Sequence, residues 1–136
     1  MLLTKETDYA LRLLRGLADG EQLTAAQLSE REQVPQQFAY KILKKLQKAG
    51  ILTIRRGAGG GCALAAPLEQ ISLRRLMQAM EEDAAVSACM HPGYECQWCR
   101  AHGDAVCCAH IQLAEIQQKL DWELESHSLA EILLGG

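Results

Sequence analysis

Apolar side chains in the first part of the chain are spaced as they are in helices. Over residues 3–18 they recur at intervals near 3.6 residues, the period of an α-helix, and Asp19-Gly20 ends this helix. Thr24 and Gln27 form a capping-box pattern, so a short helix should follow over residues 25–32. The apolar positions of the first helix are Leu3, Tyr9, Leu13, Leu14 and Leu17.

A third helix and a hairpin are predicted next. The third helix should cover residues 36–49, with Gly50 as its C-cap residue. Residues 51–55 and 62–65 have the pattern of two short strands, and the glycine-rich run from Gly57 to Gly61 joins them by a turn. Helix, short helix, tight turn, helix and β-hairpin is the order of a winged helix-turn-helix domain.

The rest of the chain has a less regular pattern. A helix is expected over residues 71–80, no clear period over 84–104, a long helix over 105–125 and a short one over 128–134. The apolar stripe of the long helix is Val106, Leu113, Ile116, Leu120 and Leu124, close to coiled-coil spacing. We therefore expect a mainly α fold with a small β-hairpin. Its predicted parts are a winged helix-turn-helix domain over 1–83, a cysteine-rich loop over 84–108, and a dimerisation helix with a short C-terminal helix over 105–136.

Composition and charge narrow the choice of function. Residues 1–61 carry ten Lys and Arg against six Asp and Glu, a net charge of +4, whereas residues 62–136 carry four against eleven, a net of −7. A basic first half fits contact with nucleic acid through that half alone. No apolar run approaches the ~20 residues of a membrane span, and the early charges argue against a signal peptide. We expect a cytoplasmic protein that does not bind membranes, and no nucleophile–base pattern suggests an enzyme.

The helix over residues 36–49 divides into two faces. Phe38, Ile42, Leu43 and Leu46 are predicted to pack inward. Glutamines near the start of such a helix can contact adenine edges in the major groove, and lysines can pair with phosphates. A solvated lysine-rich face is the plainer interpretation. The side chains predicted to point outward are Gln36, Gln37, Tyr40, Lys41, Lys44, Lys45 and Lys48.

The hairpin favours the interpretation as a DNA-binding domain. Arg55 and Arg56 lie at the entry to the turn, and an arginine there can enter a narrow minor groove. Gly57 and Gly59 allow the backbone to approach a phosphate closely. The glycine run is not a Walker loop, because no Gly-Lys-Ser/Thr follows it.

Five of the six cysteines fall within residues 89–108. Thiolates are the usual ligands of iron–sulfur clusters. Zinc is the main alternative, because Cys96 and Cys99 have the spacing of a zinc knuckle. A thiol switch is another alternative, and a thiol oxidoreductase is remote because no βαβ pattern accompanies the two cysteines. The candidate ligands are Cys89, Cys96, Cys99, Cys107 and Cys108, while Cys62 is expected to be a structural residue of the hairpin.

The chain resembles the Rrf2-type regulators, the family with IscR-, NsrR- and RirA-like members. The residues that carry the resemblance are TKETDYA from Thr4 to Ala10, the helix-turn-helix over 28–50, and the wing motif Arg56-Gly57-Ala58-Gly59-Gly60-Gly61, in which Ala58 replaces a proline. The segments over 71–82 and 128–132 and the cysteine segment also fit. The resemblance implies a homodimeric transcription factor that binds a palindromic operator in double-stranded DNA. It also implies base contacts from Gln36, Gln37, Tyr40 and Lys41, and a minor-groove contact from Arg56.

The resemblance further implies an iron–sulfur cluster, of the 2Fe–2S or 4Fe–4S type, that controls DNA affinity. Cys89 and Cys107 match the first and last ligands of the family, and the middle ligand is Cys96 or Cys99. The fourth ligand could be His110, Asp8 from the partner subunit, or a further cysteine such as Cys108. The loop is longer than is typical of the family, so the ligand set stays open.

Overall fold

The computed structural model describes residues 1–135. Three helices begin the chain: α1 (Lys5–Gly16), α2 (Ala25–Glu32) and α3 (Gln36–Lys48). Helix α1 starts later than predicted because Thr4, in extended conformation, is its N-cap. The capping box predicted for α2 is confirmed: Thr24 Oγ1 accepts a hydrogen bond from the Gln27 N–H at 3.1 Å, and Gln27 Oε1 accepts one from the Thr24 N–H at 2.9 Å.

The hairpin follows α3 directly. Strands β1 (Leu52–Arg55) and β2 (Gly61–Leu64) are antiparallel, with Leu52 opposite Leu64 and Arg55 opposite Gly61. Leu23, just before α2, exchanges backbone hydrogen bonds with Cys62 of β2. The side chain of Cys62 is buried, as expected of a structural cysteine. The hairpin is therefore continuous with α3 through β1 and hydrogen-bonded through β2 to the segment that precedes α2.

The remaining helices are α4 (Leu73–Ala79), α5 (Gln97–Ala101), α6 (Cys108–Ser126) and α7 (Leu129–Leu134). Single 3-10 turns lie at Leu68–Gln70 and Ala88–Met90. Two expectations are corrected here. The segment over 84–104 contains the short helix α5, and the long helix begins at Cys108 rather than at residue 105. The mainly α fold with a two-stranded hairpin is confirmed.

One hydrophobic core joins α1, α2, α3, the hairpin and α4. We call these five elements together the head. Helix α7 packs into this core through Leu129 and Ala130. The backbone fixes this position, because the Leu129 N–H donates to Ile71 O at 2.8 Å and the Leu73 N–H donates to His127 O at 3.0 Å. The domain boundaries at residues 83 and 105 stay a prediction, although the last helix packs against the first domain.

Two apolar side chains are placed differently from the prediction. Phe38 does not pack inward but is 45% exposed, and Ala39 takes the buried position beside it. Phe38 contacts only the edge of the core, with its ring 5.8 Å from that of Tyr9. The large Phe38 side chain thus lies at the edge of the core, and the small Ala39 side chain lies where α3 packs against its neighbours.

The long helix leaves part of its apolar stripe exposed within the chain. Of the predicted stripe only Leu124 is buried, whereas Ile116 is 53% exposed and Val106, which precedes the helix, is 74% exposed. Trp122 on the same helix is 68% exposed. Helix α6 contacts α4 and the 3-10 turn at Ala88–Met90. None of the helices in the described residues has the length and apolar character needed to cross a membrane.

Candidate DNA-binding surface and cysteine cavity

The outer face of α3 displays most of the side chains predicted to contact DNA. Gln36, Gln37, Tyr40, Lys41 and Lys44 are all exposed. Gln36 Nε2 donates a hydrogen bond to Tyr40 Oη at 3.0 Å, so these two side chains, one helical turn apart, hold each other in place. A polar row of this kind, on the exposed face of a helix, can enter a major groove.

Lys45 has a different environment from the other lysines of α3. Its side chain is only 23% exposed, and its Nζ lies 2.7 Å from Glu6 Oε1 of α1. A second carboxylate, that of Glu81, lies 3.8 Å away. Lys45 therefore points along the side of α3 that faces α1, and we do not include it in the proposed DNA surface.

The wing carries Arg55 and Arg56 at its exposed tip. The turn depends on glycine: Gly57 and Gly59 have φ of +92° and +74°, in the left-handed region that favours glycine. A Cβ on Gly60 would collide with the backbone carbonyl of Arg55. The hairpin and α3 enclose a groove of about 400 Å³ between them, and its cationic lining residues are Lys44, Arg55 and Arg56. The groove is thus positively charged on both sides.

The cysteine segment forms a second cavity, of about 490 Å³, against the start of α6. Four thiols from separate chain positions line it together with an imidazole: Cys89, Cys96, Cys99, Cys107 and His110. Cys108 is exposed and does not line the cavity. Ser87 and Tyr94, which no sequence pattern marked, also line it. Each lies two positions before a candidate ligand, Cys89 or Cys96, and this closeness along the chain was the one sign that they could belong to the site.

Local backbone donors distinguish the thiols. The backbone N–H of Cys99, followed by the Cys99 thiol, lowers the pKa of Cys96 from its ordinary value. Burial, followed by the Cys96 thiol, raises the pKa of Cys99. Cys96 is therefore the one of the two thiols that more readily becomes a thiolate. Cys107 is the N-cap residue of α6, and its Sγ accepts a hydrogen bond from the His110 N–H at 3.4 Å.

The donor set can be tested against the cofactors that the sequence suggested. Four thiols around one cavity match the chemistry of thiolate-bound iron–sulfur clusters and of zinc. Within residues 1–135, no three Cys, His, Asp or Glu side chains converge to the distances of a metal site. The identity of the donors and the space between them thus fit a cluster, and their side chains would have to turn inward to bind it.

Asp8 lies away from this cavity, on the exposed face of α1. Its Oδ2 pairs with Arg12 Nη2 at 3.1 Å. Arg12 also lies over the ring of Tyr9, 5.7 Å from the centroid. Asp8 does not line the cavity of its own chain, so as a ligand it would have to serve a second subunit.

Comparison with known proteins identifies the family. The model of the Rrf2 family, described as an iron-dependent transcriptional regulator, matches residues 3–134. The transcriptional repressor NsrR of Streptomyces coelicolor is 39% identical over 93 residues, which cover 65% of this chain and 63% of the relative. The regulator IscR of Vibrio campbellii is 26% identical over 136 residues, covering 98% of this chain and 77% of the relative. The structure of CymR, the global cysteine regulator of B. subtilis, has the same fold, with a TM-score of 0.70 at 16% identity over 100% of this chain and 98% of that one. This chain therefore belongs to the Rrf2 family, and it is a DNA-binding transcriptional regulator rather than an enzyme.

Proposed function

We propose that this regulator acts as a homodimer on a palindromic operator and that an iron–sulfur cluster in the cysteine cavity controls its affinity for DNA. The observation that carries the proposal is the meeting of Cys89, Cys96, Cys99 and Cys107 around one cavity. The description of the family as iron-dependent supports the same cofactor. We take the cluster, when bound, to act as an allosteric ligand that stabilises one arrangement of the cysteine segment.

The protein's own contribution to such a site follows from its helices. The cavity lies at the N-terminus of α6, where free backbone N–H groups and the helix dipole favour a negatively charged ligand. Cys107 already accepts one of these N–H groups. Cys89 comes from the 3-10 turn that packs against α6, and Cys96 and Cys99 come from α5 and its N-cap. Movement of one thiol would thus move the segment as a whole.

DNA binding would use the outer face of α3 in the major groove and the wing in the minor groove. The exposed Gln36 and Gln37 are suited to base edges, and Lys41 and Lys44 to phosphates. Arg55 and Arg56 would contact the adjacent minor groove. The uncovered apolar face of α6 would join two subunits, so that two heads face two half-sites.

Metal analysis of protein purified without oxygen tests the cofactor. We expect iron and acid-labile sulfide in equal amounts, with the broad visible absorption of a thiolate-bound cluster. Colourless protein with stoichiometric zinc would instead assign the cavity to a structural metal. The absence of iron, sulfide and zinc would overturn the cofactor proposal and leave DNA binding as it stands.

Single serine substitutions test the ligand set. Cys89→Ser and Cys107→Ser should abolish iron binding, and comparison of Cys96→Ser with Cys99→Ser shows whether one or both middle thiols bind the cluster. Cys108→Ser is the matched control, because this neighbouring thiol is exposed and outside the cavity. Asp8→Asn and His110→Gln test the fourth ligand. Normal iron content in Cys107→Ser would contradict the proposed site.

A thiol switch is the second candidate, and the contact between the Cys96 and Cys99 thiols favours it. Oxidation of the two thiols by one hydrogen peroxide would join their sulfurs as a disulfide, and the two thiol protons and two electrons would reduce the peroxide to two waters. Mass spectrometry of cluster-free protein after stoichiometric peroxide would show a loss of two mass units, confined to the peptide that holds both cysteines. Iron-loaded protein that resists this oxidation would favour the cluster.

A further inference from the structure

A short acidic segment connects the cysteine cavity to the head. Residues 81–86, which we call the connector, follow α4 and lead to the 3-10 turn that carries Cys89. Glu81 has a φ of +59°, and the N–H of Glu82 donates to Met77 O at 2.9 Å, which together end α4. The connector makes side-chain contacts with four other parts of the molecule.

The first contact is with the start of α1. Both carboxylate oxygens of Glu82 accept hydrogen bonds from the Thr4 N–H, at 3.1 and 3.3 Å, and Oε1 also accepts one from the Thr4 hydroxyl. Thr4 is the N-cap of α1, and its own side chain caps none of the helix N–H groups. Glu82, which lies 78 residues further along the chain, therefore fixes the position of this helix end.

The second contact is with the cysteine segment. Asp83 Oδ2 lies 2.9 Å from Nε2 of His91, two positions after Cys89. The other nitrogen of that imidazole, Nδ1, lies 3.1 Å from Ala88 O in the 3-10 turn. Asp83 Oδ1 accepts a hydrogen bond from the Ala85 N–H at 2.9 Å. One carboxylate thus holds the connector in its turn and holds the segment that supplies Cys89.

The third contact is with α6, through one side-chain amide. Gln117 Oε1 accepts a hydrogen bond from the Val86 N–H at 2.8 Å, and its Nε2 donates to Ala84 O at 3.1 Å. The same Nε2 donates to Asp121 Oδ1 at 2.9 Å. Gln117 therefore pairs with the connector backbone on both sides of Ala85. The fourth contact is the weak pairing of Glu81 with Lys45 of α3.

We propose that the connector transmits the state of the cysteine cavity to the head, and that Glu82, Asp83 and Gln117 are its positioning residues. This inference rests on the proposed function for the meaning of that state. The connector is short, and its side chains bond to the cysteine segment at His91 and to the start of α1 at Thr4. Displacement of the turn at Ala88–Met90 would therefore also displace Asp83. Glu82 is the adjacent residue, and in the described residues its carboxylate has Thr4, at the start of α1, as its only hydrogen-bond partner. Helix α1 in turn packs against α3, the helix proposed to contact bases.

Hydrogen exchange on cluster-free protein tests this inference without a cofactor. Asp83→Asn keeps the oxygen that accepts from Ala85 and removes the charge opposite His91. We expect faster exchange at Met90 and also at Thr4 and Asp8, by about threefold to tenfold for the loss of one hydrogen bond. Glu82→Met should accelerate exchange at Thr4 and Asp8, and Glu82→Gln, which retains one oxygen, should restore part of the protection. An effect of Asp83→Asn confined to residues 83–91 would overturn the proposal.

DNA affinity supplies the functional readout. The quantity to measure is the ratio of the DNA affinities with and without the cluster, which is about 5- to 150-fold for a typical allosteric pair. This ratio should fall at least about threefold in Asp83→Asn and in Gln117→Met, while the iron content of both variants stays unchanged. An unchanged ratio in both variants would also overturn the proposal. Glu69→Gln is the matched control, because Glu69 is an exposed carboxylate without an ion pair or side-chain hydrogen bond in the described residues. A wild-type ratio of one would refute cluster control itself, and the exchange experiment would still decide whether the connector transmits.

Discussion

Lys45 of α3 is held by Glu6 of α1, with Nζ 2.7 Å from Oε1. Both side chains are less than a third exposed, at 23% and 28%. Glu6 Oε1 itself is buried and accepts no well-aligned hydrogen bond, so the attraction is that of an ion pair in a partly dry site. Helix α3 therefore uses one lysine to fix its position against α1, whereas Lys41 and Lys44 are exposed.

Lys45→Met should separate these two roles when it is compared with Lys44→Met. Removal of the Lys45 ammonium leaves the Glu6 carboxylate unpaired and should destabilise the fold by about 1–3 kcal/mol. Lys44→Met should leave stability nearly unchanged but weaken DNA binding. The slope of log K against log salt concentration should fall by the amount that corresponds to about one phosphate contact. Urea unfolding and DNA titrations at several salt concentrations measure the two effects. An equal loss of salt dependence in both variants would contradict the assignment.

Gly60→Ala should weaken DNA binding although Gly60 itself offers DNA no side chain. A methyl group there collides with the carbonyl of Arg55, so the tip of the wing must reshape and Arg56 must move. We expect about a tenfold loss of affinity, comparable to one lost minor-groove contact. Fluorescence anisotropy with a labelled operator measures it. Ala58→Ser, in the same turn, is the control that should bind as the wild type does.

Ile116→Asp should convert the protein to a monomer. Ile116 of the predicted apolar stripe and Trp122, elsewhere on the circumference of α6, are 53% and 68% exposed, and exposed apolar side chains of this size are stabilised when a second copy covers them. Sedimentation velocity measures the oligomeric state. Leu134→Asp on α7, which is similarly exposed at 56%, is the control. A dimer that persists in Ile116→Asp and in Trp122→Asp would place the interface elsewhere.

His127 should make stability depend on pH. Hydrogen bonds that the imidazole donates to the carboxylates of Glu123 and then Glu131 raise its pKa above the ordinary value of 6.5. Because the folded pKa is the higher one, the stabilisation is fully present below pH 6.5 and is lost as the pH rises through the folded value. NMR titration should locate that pKa above 6.5, and Glu123→Gln should lower it. His127→Gln should remove this part of the pH dependence of unfolding.

Helices whose ends are marked by local chemistry were predictable from the sequence. Thr24 and Gln27 formed the expected capping box, because both partners lie within one helical turn. The hairpin was equally local: only glycine fits the left-handed turn at Gly57 and Gly59. The clustering of the thiols could also be expected, since most of them are close along the chain. The DNA and ligand assignments for individual residues stay predictions.

The tertiary structure decided what depends on distant partners. Phe38 and Lys45 have the residue types of an inward and an outward position, yet Phe38 is 45% exposed at the edge of the core and Lys45 is half-buried against Glu6 of α1. Cys108 directly follows Cys107, and because successive side chains on a helix point in different directions, its thiol lies outside the cavity. The contact between Glu82 and Thr4 spans 78 residues and follows no sequence period. Local hydrogen bonds and φ preferences thus fixed the elements, whereas packing between elements fixed which side chains they bring together.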